Sequence, residues 1–262
     1  MKTRKLVAIL LAGLILLVGC AGGANPESAG EATQGGGEEL RSEDPPSEDP
    51  QAPQEAEAGF IQFQPVNPGE MIAVMETSKG TIRIRLFPDH APLTVQNFVG
   101  LIEEGFYDGR NFHRVIHNFM LQAGAVNPDG AGGESIFRDA NGNPMPFEDE
   151  FSPYLWHFRG ALSMANPGVP NANLSQFFIV QNNALPPEWI DQIRAGGFPE
   201  EVVEIYAQYG GSPHLDWRHS IFGHVIEGMD VVDAIAAVET TGPPADRPLE
   251  DILIISMHME QA

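Results

Sequence analysis

Phe112-His113-Arg114-Val115-Ile116-His117-Asn118-Phe119-Met120-Leu121-Gln122-Ala123-Gly124 is the stretch on which the reading of this chain turns. It holds two short apolar runs, 112–116 and 119–123, each with the length and content of a strand, and a single arginine among them. Taken alone, Arg114 reads as a solvated charge or an ion-pair partner, and Phe119 and Met120 read as core. A second stretch combines Leu162-Ser163-Met164-Ala165-Asn166 with Ser175-Gln176-Phe177-Phe178-Ile179-Val180. Neighbours on a strand point to opposite faces, so Phe177 is expected in the core and Phe178 on the other side.

Working outward, residues 72–77 and 81–86 form a hairpin around the turn Ser78-Lys79-Gly80, with Ile82, Ile84 and Leu86 on one face. Pro92 opens a helix whose stripe is Val95, Phe98, Val99 and Ile102, and Gly105 ends it. Further strands are expected at 161–165, 177–180, 221–226 and 252–257, a second helix at 229–238, and a polar, helical insert at 185–211. Many short strands with two helices near the ends predict a mainly β chain: a closed β-barrel capped by two helices, carrying a small helical insert.

The flanking composition sets the organisation. Of 262 residues, 36 are acidic and 14 basic, a net charge of -22 that argues against a nucleic-acid partner, since phosphate binding needs clustered Lys and Arg. Lys2, Arg4 and Lys5 precede an apolar run at 6–18, shorter than a membrane span and patterned as an export signal. Leu17-Val18-Gly19-Cys20 closes the run and resembles the lipobox of bacterial lipoproteins, in which the cysteine carries the acyl chains. Cys20 is the only cysteine, so no intramolecular disulfide forms. The expected layout is a signal peptide at 1–19, an acidic Gly/Pro-rich disordered linker at 20–66, and one domain at 67–262. An exported chain held on the outer face of a bacterial cell membrane by lipidated Cys20 follows, and a monomer is expected.

The sequence carries no GxSxG, HExxH or P-loop, and its eight histidines lack the spacing of a metal site. That points to chemistry without a covalent nucleophile, metal or cofactor. The two quoted stretches, with Gly105-Phe106-Tyr107-Asp108-Gly109 and Phe222-Gly223-His224-Val225, resemble the signature segments of cyclophilins over about residues 71–259. The resemblance implies an eight-stranded antiparallel barrel with a groove on its outer face for proline-containing peptide segments. It implies peptidyl-prolyl cis/trans isomerase activity, directed at exported proteins as they fold. By motif, Arg114 is the catalytic arginine, Phe119, Met120 and Phe178 line the proline pocket, and Gln122 holds substrate backbone. Ala165 and Asn166 pair with the peptide, and His214, Leu215 and His219 close the pocket and its rim. His113 reads as structural.

The chemistry fits those residue types. The amide barrier is roughly 18–20 kcal/mol because resonance must be broken. A guanidinium aimed at the proline nitrogen stabilises the lone pair that appears only once the bond has twisted. Bringing a relaxation of about 100 s down to milliseconds requires roughly 10⁵-fold, or about 7 kcal/mol. Several positions depart from the family pattern: His214 replaces the rim tryptophan used by cyclosporin, Ala123 replaces a glycine, and Leu174 replaces the glycine before Ser175. The competing reading is a catalytically weak proline-peptide-binding or chaperone module on a lipoprotein anchor.

Overall fold

The computed structural model describes residues 59–262. The expected signal peptide, Cys20 and residues 20–58 of the expected linker lie outside the described residues. Eight strands form one antiparallel sheet: β1 (Met71–Thr77), β2 (Gly80–Leu86), β3 (Arg114–Ile116), β4 (Met120–Ala123), β5 (Ala161–Met164), β6 (Phe177–Val180), β7 (Ile221–Glu227) and β8 (Ile254–Gln261). Their order is β3-β4-β6-β5-β7-β2-β1-β8. The sheet curls so that the segments flanking its two edge strands meet. Asn111 bridges Leu253, Phe112 N–H donates to the Ile252 carbonyl at 2.9 Å, and Ile254 N–H donates to the Arg110 carbonyl at 2.7 Å. The expected closed barrel is thus realised as a curled sheet whose β3–β8 seam is stitched by these flanking residues rather than by a continuous ladder.

Alternation decides what faces inward. Ile82, Ile84 and Leu86 of β2, Leu121 and Ala123 of β4, Leu162 and Met164 of β5, and Phe177 and Ile179 of β6 all enter one core. The helix α1 (Pro92–Glu103) lays Val95, Phe98, Leu101 and Ile102 into it, and Phe98 meets the rings of Tyr107, Phe177 and Phe222. The start of α1 is capped from a distance: the Glu150 carboxylate accepts from Leu93 N–H, Thr94 N–H and the Thr94 hydroxyl at 2.8–3.0 Å. A carboxylate there satisfies orphan donors and complements the helix dipole.

The insert contains two helices, α2 (Pro187–Ala195) and α3 (Glu200–Tyr209), and α4 (Met229–Ala236) follows β7. Of the two insert helices only α3 buries residues deeply: Val202, Val203, Ile205 and Tyr206, of which Val202, Ile205 and Tyr206 pack with Trp156 and Phe158 in a separate cluster.

The folded domain begins earlier than the expected boundary at 67. Phe60 and Phe63 join the Trp156–Phe158 cluster, and Gln62 is 2% exposed. The Gln62 amide donates to the Trp156 carbonyl and accepts from the Trp156 N–H, each at 2.9 Å, and lies 3.2 Å from His224 Nδ1. The buried guanidinium of Arg85 donates to the carbonyls of Ile61 and Gln64 and pairs with Glu70. Residues 59–66 therefore form a strap across the β2–β7 face, held because a buried arginine requires acceptors.

Candidate active site

Strand pairing places a row of side chains across the outer face of the sheet. Arg114 of β3 faces Gln122 of β4, Gln122 faces Phe178 of β6, and Phe178 faces Ser163 of β5. The next row is Ile116, Met120 and Val180. Because the period is two, these positions lie opposite the core set of Val115, Leu121, Phe177 and Ile179. The expected split between Phe177 and Phe178 is observed.

The polar end of the row is a relay. Arg114 Nη1 approaches Gln122 Oε1 at 3.4 Å, Gln122 Nε2 donates to Gln176 Oε1 at 3.0 Å, and Gln176 Nε2 donates to the Gly130 and Gly132 carbonyls at 3.0 and 2.8 Å. Each amide is oriented by its neighbour, so Gln122 presents oxygen to the guanidinium. The apolar end gathers Met120 and Phe178 with the half-buried Phe119, Ala165 and Leu215 in one cluster outside the sheet. The His219 ring stands edge-on to Phe178 with centroids 5.4 Å apart, and its Nδ1–H donates to the Met164 carbonyl at 2.9 Å. Burial lowers its pKa, so at neutral pH the ring is an uncharged wall. His214 is exposed and stacks on Phe119 at 5.5 Å.

On the other side of Gln122 lies a cleft of about 430 Å³ lined by Gln122, Ala165, Asn166, Leu174 and Gln176. Ala165 N–H is already bonded to the Gln176 carbonyl at 2.9 Å. The Asn166 amide donates to the Arg218 carbonyl at 3.3 Å and accepts from Gly168 N–H at 3.0 Å. All ten sequence-derived groove residues therefore lie along one continuous surface. Cys20 falls outside the described residues.

Beneath the apolar pocket sits a buried polar network that the sequence did not reveal. His157 stacks on Phe178, its Nδ1 lies 2.7 Å from Asp216 Oδ1, and its Nε2 lies 3.0 Å from Ser163 Oγ. The Tyr206 hydroxyl donates to Asp216 Oδ2 at 2.6 Å. Burial pushes the Tyr206 pKa up, so the hydroxyl keeps its proton. These partners are 6–59 residues apart in sequence and show no local pattern. Gln176 was findable: it stands two residues before Phe178 and so shares its face. His113 is buried beside Gly130 and held neutral, its pKa lowered to about 4 by burial and then by Arg114. Its Nδ1 has no partner among the described residues.

A family model described as cyclophilin type peptidyl-prolyl cis-trans isomerase/CLD matches residues 72–259. The chain belongs to the cyclophilins. It is a peptidyl-prolyl cis-trans isomerase of that type. A Staphylococcus saprophyticus relative named "Putative peptidyl-prolyl cis-trans isomerase" is 47% identical over 194 residues, 74% of this chain and 94% of that one. A Staphylococcus aureus relative of the same name is 46% identical over 75% of this chain and 95% of its own. The crystal structure of a Cryptosporidium parvum cyclophilin type isomerase, determined in the presence of the dipeptide Ala-Pro, superposes with a TM-score of 0.57 at 27% identity. The match covers 73% of this chain and 99% of that one.

Two departures from the family pattern acquire physical reasons in this cyclophilin. Ala123 points into the core, where its methyl group is packed, whereas Gly124 (φ +84°) must be glycine: a Cβ there would lie 2.5 Å from the Ser175 carbonyl oxygen. Leu174 packs over Gly133, where an added Cβ would meet its side chain at 2.8 Å, and it forms one wall of the 430 Å³ cleft.

Proposed function

We propose that this cyclophilin accelerates cis/trans exchange of X-Pro bonds in exported proteins, with Arg114 stabilising the twisted amide, from outside the cell membrane where lipidated Cys20 holds it. The observation that carries the catalytic part is the row Arg114–Gln122–Phe178, which sets a guanidinium held by an amide relay beside an apolar pocket on one face. A proline ring seated on Phe119, Met120, Phe178 and Leu215 brings its nitrogen towards Arg114. In the planar amide that nitrogen's lone pair is delocalised and accepts poorly. At the twisted geometry it is localised, so the guanidinium favours the transition state over both ground states. Gln122 both orients Arg114 and offers an amide to substrate backbone. No group needs to take up a proton, and the neutral His219 contributes only a wall. The assignment to exported clients rests on residues 1–20 of the sequence.

The test is the cis-to-trans relaxation of an X-Pro peptide, which is uncatalysed on a scale of about 10–100 s. The full chain shortens it, and Arg114→Ala loses about 10²–10³ of the acceleration, the scale seen when one preorganised electrostatic donor is removed. Cys20→Ser moves the chain from the membrane to the soluble fraction. A folded Arg114→Ala variant with undiminished acceleration would overturn the assigned role. Peptide binding without acceleration by the unaltered chain would favour the binding-module reading instead.

A further inference from the structure

Beyond Phe119, at the end of the groove away from Leu174, lies a second cleft of about 480 Å³. Phe119 and His214 line it on one side, the insert lines it through Leu185, Pro186 and Trp189, and Asn118, Asn182 and Asn183 are its polar lining residues. Three rings run outward in series. His214 stacks on Phe119 with centroids 5.5 Å apart and planes at 30°, and Trp189 stands edge-on to His214 at 5.8 Å and 81°.

The indole is not there to fill a core. Trp189 is 42% exposed and lies on α2, a helix with no buried residue, whereas the insert is anchored through α3. The base of the cleft is nonetheless rigid. The two stems of the insert are joined by the Asn182 amide donating to the Gly211 carbonyl at 2.8 Å. Gly210 is packed so tightly that a Cβ would lie 2.5 Å from the Asn182 carbonyl oxygen. Pro186 and Pro187 fix the entry into α2. In a chain of net charge -22, no carboxylate, lysine or arginine lines this cleft, and its one titratable group is His214, whose pKa is lowered by partial desolvation of an otherwise exposed residue.

We propose that this cleft is a substrate subsite taking an aromatic or large aliphatic side chain of the same peptide, two or three residues from the isomerising proline, on the side away from Leu174. The reading rests on the isomerase groove described above, with which the cleft is continuous through Phe119. Ring steps of 5.5 and 5.8 Å place Trp189 at most about 11 Å from Phe119. An extended peptide covers that in roughly three residues at about 3.3 Å each. The uncharged wall accepts an apolar side chain and leaves a carboxylate without a partner.

The experiment uses the full chain and X-Pro peptides extended by three residues on either side, carrying Phe, Lys or Glu at the second or third position. Extension on one side only gives a kcat/KM for Phe about tenfold above that for Glu, the scale of a hydrophobic side-chain contact. In Trp189→Ala that ratio falls towards one, and the loss for the Phe peptide lies in KM rather than kcat. Trp189→Glu favours a Lys peptide over both. Perturbation of the Trp189 indole N–H resonance by the Phe peptide, absent with the Glu peptide, reads occupancy without turnover. The subsite fails alone if X-Pro exchange is accelerated but the Phe-to-Glu ratio is the same in all three proteins. If no peptide is accelerated while the Phe peptide still binds in a Trp189-dependent way, the isomerase reading fails and the subsite stands.

Discussion

Replacing Tyr206 by phenylalanine removes one oxygen and leaves the ring. That ring is fully buried, 4.8 Å from Phe158 in the cluster that anchors the insert, so packing is preserved. The loss is the 2.6 Å hydrogen bond to Asp216 Oδ2. Asp216 keeps two contacts on its other oxygen, from His157 N–H at 2.9 Å and His157 Nδ1 at 2.7 Å, so it is weakened rather than stranded. A buried hydrogen bond to a carboxylate contributes about 1.5–3 kcal/mol. Tyr206→Phe should therefore destabilise the domain by about 2 kcal/mol, or about 4–8 °C in Tm for a domain of this size. Urea unfolding measures it, with an unchanged m-value showing that the transition itself is the same. Asp216 lies between His214 and Leu215 on one side and His219 on the other, so kcat/KM should fall along with stability. A loss below about 0.5 kcal/mol would mean that the short Tyr206–Asp216 contact adds nothing to what solvent supplies, contrary to this expectation.

Other perturbations have equally definite outcomes. A chain beginning at residue 67 should melt below one beginning at 59, because Arg85 loses the Ile61 and Gln64 carbonyls and the buried Trp156 backbone groups lose Gln62; paired thermal melts decide it. Burial holds His224 at about 3 and His113 at about 4, below the usual 6.5. The unfolded chain then binds more protons below pH 6.5, so stability is full above that value and falls as pH drops towards 4, by up to about 1.4 kcal/mol per pH unit for each ring. Histidine NMR titration should show neither ring protonating above pH 5 in the folded chain. Leu174→Ala should open the 430 Å³ cleft and raise kcat/KM for peptides with bulky flanking residues on that side, as read from a peptide series.

The strands were legible because alternation is local. Val115, Leu121, Phe177 and Ile179 point inward and Arg114, Gln122 and Phe178 outward for the same reason, a period of two. Strand ends were less legible: residues 252 and 253 stitch the seam to 110–112 before β8 begins, a long-range event with no local signal. The strap at 59–66 was missed although Phe60-Ile61-Gln62-Phe63 stands out from the acidic run before it. Its partners, Arg85, Trp156 and His224, are each remote in sequence. The residues expected from motif fall on one outer face of the sheet, but the Tyr206–Asp216–His157 network and the Trp189 wall depend on where the insert lands, which only the fold reveals.

The most direct test of the account compares rate and affinity on the same peptide for the unaltered chain, Arg114→Lys and Arg114→Ala. NMR exchange spectroscopy gives the catalysed cis/trans rate, and a titration gives Kd. Arg114→Ala should lose about 10²–10³ in rate while Kd moves by less than about threefold, with Arg114→Lys in between because an ammonium lacks the planar fork. Parallel loss of affinity and rate would contradict it, since Arg114 would then bind the ground state and the twisted amide equally.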